Sequence, residues 1–235
     1  MVNNSLFVAG TDTSVGKTYV CARLLEFLKI KGIQAGYQKW VATGGAAGVP
    51  EDLALCLNAA SIAPTPELAE QQVPYHFRFP ASPHLAAEME NRSVDPEVIA
   101  ENYKTLAAKY EWLIVEGVGG IMVPLRRDLL LADLLARMQP RTLLVARSGL
   151  GTLNHTLLTL EALRNRHIPV LGVVFSDPDG QEDERVVQDN MLIIEEIGLV
   201  KVFGRLRRQQ NDVTARSAFM PVGQAILEQL LHSGS

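Results

Sequence analysis

Residues Gly10-Thr11-Asp12-Thr13-Ser14-Val15-Gly16-Lys17-Thr18 follow directly on a short apolar run, Leu6-Phe7-Val8-Ala9. They lead into a stretch in which Val20, Leu24, Phe27 and Leu28 fall on one helical face. The spacing is G-x-x-x-x-G-K-[ST], that of a phosphate-binding P-loop. The pattern has a mechanism. Glycines let successive backbone N–H groups turn inward around phosphate oxygens, Lys17 reaches the outer phosphates, and the Thr18 hydroxyl offers an oxygen to Mg²⁺. A helix starting at the loop points its positive dipole end at the same anion. Strand, loop and helix in that order commit the chain to an α/β arrangement.

Beyond the loop, short apolar runs alternate with longer amphipathic ones, which argues for parallel strands joined by crossover helices. Strands are expected at Leu6–Ala9, Gln34–Lys39, Trp112–Glu116, Thr142–Ala146, Val170–Phe175 and Lys201–Gly204. Asp95-Pro96 reads as an N-cap followed by proline at the first helical position. The helix from about Thr152 should end before Pro169, and Gly198 is positioned to close the helix carrying Met191–Ile194. The region from Thr43 to Pro83 has little strand character, and is expected to be a helix with long loops lying over the sheet. The expected fold is therefore an α/β three-layer sandwich with a mostly parallel central sheet, P-loop NTPase-like, in one domain over residues 1–235.

Composition narrows the function classes. A net charge of −4 leaves no basic excess for nucleic acid. Cys21 and Cys56 read as buried apolar residues rather than a disulfide. Residues Met1–Ser5 carry no basic segment, the apolar run after them is too short for a signal peptide, and no stretch approaches transmembrane length. The expected location is the cytoplasm, with no membrane partner.

In such a sheet, ligands bind outside the carboxyl ends of the strands. Three polar features fall there and should converge on the P-loop: Lys39 with Thr43, Glu116 with Gly117-Val118-Gly119-Gly120, and Arg147-Ser148-Gly149-Leu150-Gly151-Thr152. Each has two readings. Glu116 is a metal-binding acid or a solvated strand end. Asp52 is a second metal carboxylate or an acid placed for the helix dipole. Lys39 stabilises charge on a transferred phosphoryl group or snorkels at the surface. The loop ending at Thr152 holds an anion at a helix start, or is a glycine turn capped by Thr152. The histidines form no metal-ligand spacing, so no zinc site is expected, and His84 is read as a loop histidine.

Five motifs taken together resemble the dethiobiotin synthetase family: Gly10-Thr11-Asp12-Thr13-x-Val15-Gly16-Lys17-Thr18, Lys39-x-Val41-Ala42-Thr43-Gly44, Pro74-Tyr75 with Ser82-Pro83-His84, Val115-Glu116-Gly117-x-Gly119-Gly120, and Gly151-Thr152-Leu153-Asn154-His155. The resemblance runs along most of the chain and weakens after about Ser176. It implies closure of the ureido ring of dethiobiotin from 7,8-diaminononanoate, CO2 (or bicarbonate) and ATP, with Mg²⁺, through a carbamate and a carbamic–phosphoric anhydride. By motif position, Lys17 and Lys39 would stabilise phosphate and carbamate charge, with Thr13 and Thr43 contacting phosphate or diamine. Thr18, Asp52 and Glu116 would serve Mg²⁺. The nucleotide would lie against Thr13, Ser14, Val15, Gly16, Lys17, Thr18, Glu116, Gly119 and Ser176. In this family the substrate carboxylate is held at a helix start of the partner subunit, here Gly151, Thr152, Leu153 and Asn154, which implies a homodimer.

The chain departs from the family pattern at four places. Ser14 stands where many members have Glu, and Trp40 where most have Pro. Phe175-Ser176-Asp177 replaces Ala-Asn-Asp, whose Asn reads adenine, and Gly204-Arg205-Leu206-Arg207 lacks a proline often found near the base. A serine cannot make the paired amide contacts of an asparagine, so weak base discrimination is expected. Two other readings compete: a nucleotide-binding paralogue without synthesis, and a partitioning ATPase. The latter usually carries a lysine after the first loop glycine, where this chain has Thr11.

Overall fold

The computed structural model describes residues 4–46, 48–177, 180–207 and 209–232. Strand β1 (Ser5–Gly10) passes through the loop into α1 (Lys17–Ile30), followed by β2 (Ala35–Lys39) and the short β3 (Val41–Thr43). Helices α2 (Glu51–Ala59) and α3 (Pro66–Gln72), strand β4 (Tyr75–Phe77), and helices α4 (Pro83–Met89) and α5 (Pro96–Lys109) lead to β5 (Trp112–Glu116). A hairpin of β6 (Pro124–Arg126) and β7 (Leu129–Leu130) opens α6 (Leu131–Met138). Three strand–helix pairs follow: β8 (Arg141–Arg147) with α7 (Thr152–Arg164), β9 (Val170–Asp177) with α8 (Glu184–Gly198), and β10 (Val202–Arg207) with α9 (Asp212–His232).

Six strands form one sheet in the order β10-β9-β8-β1-β5-β2, every pairing parallel. All six strands expected from the sequence lie in it. Alternation along β1 explains the layers. Leu6 and Val8 face a core built with α1, α2 and α9, whereas Phe7 and Ala9 face one built with α4, α5, α6, α7 and α8. Each Leu or Phe fully buried in these layers contributes about 1.5–3 kcal/mol. β1 is followed by β2 on one side of it and its neighbour β8 by β9 on the other, and the crevice this opens at the carboxyl ends is where the P-loop stands. No helix among the described residues is long and apolar enough to cross a membrane.

Asp95 caps α5 as expected, accepting the Glu97 N–H at 2.9 Å. Three local expectations are corrected. The region from Thr43 to Pro83 holds two helices rather than one, and its ends pair as strands, β3 running parallel to β4 with Thr43 opposite Phe77. Both strands are three residues long, too short for a periodic signal. Gly198 is the last residue of α8, and the left-handed turn after it is made by Leu199 at φ 44°. Thr152 does not cap α7. Gly151 occupies the cap position at φ 88° and the Thr152 hydroxyl pairs with that of Thr156 at 3.2 Å.

Candidate active site

The loop between β1 and α1 needs its glycines at particular atoms. A Cβ on Gly10 would stand 2.7 Å from Lys17 Nζ. Gly16 caps α1 with φ 94°, a conformation side chains rarely adopt, and a Cβ there would lie 2.3 Å from Ser176 Oγ. Asp12 accepts the Thr13 N–H at 2.7 Å, which tightens the turn. Lys17 bends back over the loop and donates to the carbonyls of Asp12 and Gly119, each at 2.8 Å. The Val15 side chain is buried in the core beneath the loop, so this residue offers only backbone to the crevice.

Beside the loop, four elements bring their polar side chains to one point. Parallel register places Lys39 at the end of β2 next to Glu116 at the end of β5. Helix α2 lies on α1 and presents Asp52 from its first turn. The Thr18 hydroxyl lies 2.8 Å from Asp52 Oδ1 and 2.8 Å from Glu116 Oε1. Lys39 Nζ bridges the same two carboxylates, 2.9 Å from Glu116 Oε1 and also paired with Asp52 Oδ2. Glu116 is 1% exposed and Lys39 7%, so neither is a solvated strand end nor a snorkelling surface group. Asp52 keeps both its helix-start position and its contacts to the site.

The electrostatics follow from burial and pairing. Burial drives the Lys17 ammonium down to about 8, with Lys39 adding to the fall and Glu116 opposing it. Burial pushes Lys39 the same way, but Glu116 and Asp52 outweigh it and hold its pKa above the ordinary lysine range. Desolvation raises the Asp52 carboxyl, and the Lys39 and Thr18 contacts overcome this to leave it below its usual value.

These groups open on a cavity of about 400 Å³ lined by Thr13, Ser14, Gly16, Lys17, Thr18, Lys39, Thr43, Asp52, Glu116, Val118 and Gly119. A second cavity of about 630 Å³ lies beyond Gly16, lined by Tyr19, Ser176, Asp177, Leu206 and Arg207, by Gln209, Gln210 and Asn211 before α9, and by Asp212 and Ala215 in its first turn. Gly16 lines both, so phosphate-sized and base-sized spaces meet at the P-loop. The oxygens of Thr18, Asp52 and Glu116 are the donors a hard divalent cation prefers, and a cation, Lys39, already sits between the carboxylates. The donor set therefore fits Mg²⁺.

Two of the three expected strand-end features converge here. The third does not: none of Gly151, Thr152, Leu153 and Asn154 lines either cavity, and Leu150 beside them is 99% exposed. His84 sits in the first turn of α4, its Nδ1 3.0 Å from Ser82 Oγ. Trp40 is fully buried, its ring centroid 4.8 Å from that of Phe7 and its indole N–H donating to Gln38 Oε1. Sequence reasoning missed Tyr37, whose hydroxyl donates to Glu116 Oε2 at 2.7 Å. It also missed the lining supplied by Tyr19, Gln209, Gln210, Asn211, Asp212 and Ala215, which carry no motif.

The chain is similar to proteins of known name. Over 199 residues the chain is 38% identical to the ATP-dependent dethiobiotin synthetase of Methanococcus vannielii, covering 85% of this chain and 91% of that protein. It is 37% identical to the enzyme of that name from Methanocaldococcus jannaschii, covering 88% of this chain and 95% of the relative. The chain belongs to the dethiobiotin synthetase family. A family model described as an AAA domain matches residues 4–216, so the family's match extends beyond Ser176 into α9. Solved structures share the fold at much lower identity. A cell-division ATPase MinD of Pyrococcus furiosus aligns with a TM-score of 0.58 at 16% identity, covering 96% of this chain and 99% of that one. A ParA family ATPase of Chlorobium tepidum aligns at 0.54 and 13%, covering 98% and 99%. These likenesses establish the P-loop architecture, whereas the synthetases are the family.

Proposed function

We propose that this protein forms dethiobiotin from 7,8-diaminononanoate, CO2 and ATP, acting as a single domain in a cytoplasmic homodimer. The observation that carries the reading is Lys39 held between Asp52 and Glu116 at the edge of the P-loop cavity. A cation held there supports a role in offsetting charge on the acceptor oxygen and the transferred phosphoryl group. One amine of the substrate adds to CO2 and loses a proton, giving a carbamate. The carbamate oxygen attacks the γ-phosphorus, the bond to the β-phosphate oxygen breaks and ADP leaves. The second amine attacks the carbamoyl carbon, the bond to the phosphate oxygen breaks, and the ring closes with release of phosphate and a proton.

Each residue has a place in this sequence. Lys17 and the loop N–H groups hold the outer phosphates, and Lys39 offsets charge on carbamate and phosphoryl oxygens. Thr18, Asp52 and Glu116 would hold Mg²⁺, which when bound shields the phosphate charge. Thr13 and Thr43 line the same cavity, and would contact phosphate or the reacting diamine. The nucleoside occupies the larger cavity beside Ser176. The substrate carboxylate is met by the start of α7 from a second subunit. The exposure of Leu150, away from its own cavity, supports that sharing. The deciding experiment incubates the protein with diaminononanoate, bicarbonate and Mg·ATP and looks for dethiobiotin by mass spectrometry. Product is expected. Nucleotide binding without product would replace this reading with that of an inactive paralogue.

A further inference from the structure

Glu116 uses both of its carboxylate oxygens, and they serve different ends. Oε1 faces the cavity, meeting Thr18 Oγ1 at 2.8 Å and Lys39 Nζ at 2.9 Å. Oε2 points back into the protein and accepts the Tyr37 hydroxyl at 2.7 Å. Tyr37 is fully buried in the middle of β2, two residues before Lys39, so the phenol and the ammonium rise from the same face of one strand. The strand register sets both against β5, with Tyr37 opposite Ile114 and Lys39 opposite Glu116. Gln72 donates to the Tyr37 carbonyl at 2.9 Å and holds the backbone at that point. The ring itself is packed in the core shared by α1 and α2.

We propose that Tyr37 is a positioning residue for the divalent cation: its hydroxyl fixes the Glu116 carboxylate so that Oε1 alone is presented to the metal. This rests on the reading that Thr18, Asp52 and Glu116 hold Mg²⁺. The physical argument is that the terminal torsion of a glutamate is broad and two-fold, so an unheld carboxylate turns about its own axis. A buried donor on one oxygen selects one orientation and leaves the other oxygen's lone pairs for the cavity. Partners of this kind, one bond removed from the metal, are worth 10–100-fold in metal affinity. Tyr37 touches neither nucleotide cavity, so its contribution to the site passes through Glu116.

The test is Mn²⁺ binding followed by electron paramagnetic resonance on the full chain saturated with a non-hydrolysable ATP analogue. Wild type is compared with Tyr37→Phe, which removes one oxygen, and with Tyr37→Met, which also removes the ring. Both variants are expected to weaken Mn²⁺ by about 10–100-fold, while affinity for the analogue in EDTA is unchanged. In a Glu116→Gln background, Tyr37→Phe is expected to cost Mn²⁺ affinity nothing further. Wild-type Mn²⁺ affinity in Tyr37→Phe, with or without a lowered melting temperature, overturns the proposal and leaves the phenol a packing group. If wild type itself binds no Mn²⁺ beside the analogue, the metal assignment falls first and this inference with it, a result distinct from failure of the variant alone.

Discussion

Lys17 and Lys39 line one cavity, yet only Lys39 is paired with carboxylates. Lys17 donates to two backbone carbonyls instead. Their ammonium groups are consequently displaced in opposite directions, Lys17 down to about 8 and Lys39 upward. The site thus holds one permanent cation and one whose charge is completed by the anion it binds.

This gives a pH dependence with a definite sign. Below pH 8 Lys17 is charged before nucleotide arrives, and above it the free protein holds Lys17 largely neutral. A triphosphate beside it favours the charged form and raises its pKa, so binding near pH 8.5 must draw in a proton. Affinity for the triphosphate therefore falls as pH rises through about 8. Calorimetric titration in buffers of different ionisation enthalpy measures the uptake directly. Uptake at pH 8.5 is expected in wild type and in Lys39→Ala, and its loss is expected in Lys17→Ala. Equal uptake in Lys17→Ala would assign the proton to another group.

Removing Lys39 should strike both chemistry and stability. Turnover in Lys39→Ala is expected to fall by about 10²-fold or more, since a charge contact made to the moving phosphoryl group is gone. The variant also leaves Glu116 buried without its cation, and breaking a buried pair costs about 3–5 kcal/mol. The half-open Asp52 side of the pair, 33% exposed, contributes the smaller part of that loss. Thermal unfolding should show a lower midpoint that Mg²⁺ restores more in Lys39→Ala than in wild type. Near-normal turnover would remove the catalytic role of Lys39.

Trp40 stands where most members of the family have Pro, and it is not among the residues lining the P-loop cavity. Proline at that position has no N–H, whereas Trp40 donates its backbone N–H to the Glu116 carbonyl at 3.4 Å. The buried indole also packs on Phe7 and pairs with Gln38. Restoring the common residue with Trp40→Pro is therefore expected to destabilise, by about 3–5 kcal/mol, because a buried aromatic is removed and its space left empty. Denaturant unfolding gives the number. A neutral result would mean that the surrounding core collapses to fill the gap.

The sheet and the P-loop are legible because both rest on local pattern, short strand-length runs alternating with longer amphipathic ones, or glycines at fixed spacing. Lys39 and Glu116 stand out in the sequence as polar strand ends and Asp52 as a carboxylate of the region between Thr43 and Pro83, but only strand register and the packing of α2 on α1 show that they meet. Tyr37 was not legible at all. A tyrosine inside an apolar strand looks like core, and its partner lies 79 residues away. Leu199 was missed for the opposite reason: Gly198 supplied a plausible stop signal one residue too early, and a leucine at positive φ has no sequence mark.

Base selectivity is the prediction most specific to this chain. Ser176 lies beside the P-loop, its Oγ over Gly16, and it also lines the larger cavity. An asparagine there would offer a donor and an acceptor together to an adenine edge, and the serine hydroxyl does not reproduce that pair. The remaining polar residues lining the space are Tyr19, Asp177, Arg207, Gln209, Gln210, Asn211 and Asp212; Asp177 is paired with Arg205, and the Asn211 side chain accepts the Thr214 N–H at 3.0 Å at the start of α9. Arg207 pairs with Glu184, Asp212 with Arg23, and the Gln209 amide donates to the Arg207 carbonyl, so none of these is held in the paired donor–acceptor arrangement of an asparagine amide. A hydrogen bond contributes about 1 kcal/mol net, so loss of a dedicated reader leaves discrimination among bases within about tenfold. Turnover with ATP, CTP and GTP at matched concentration is expected to fall within that span. A preference for ATP of about a hundredfold would require a dedicated adenine contact and would overturn this expectation.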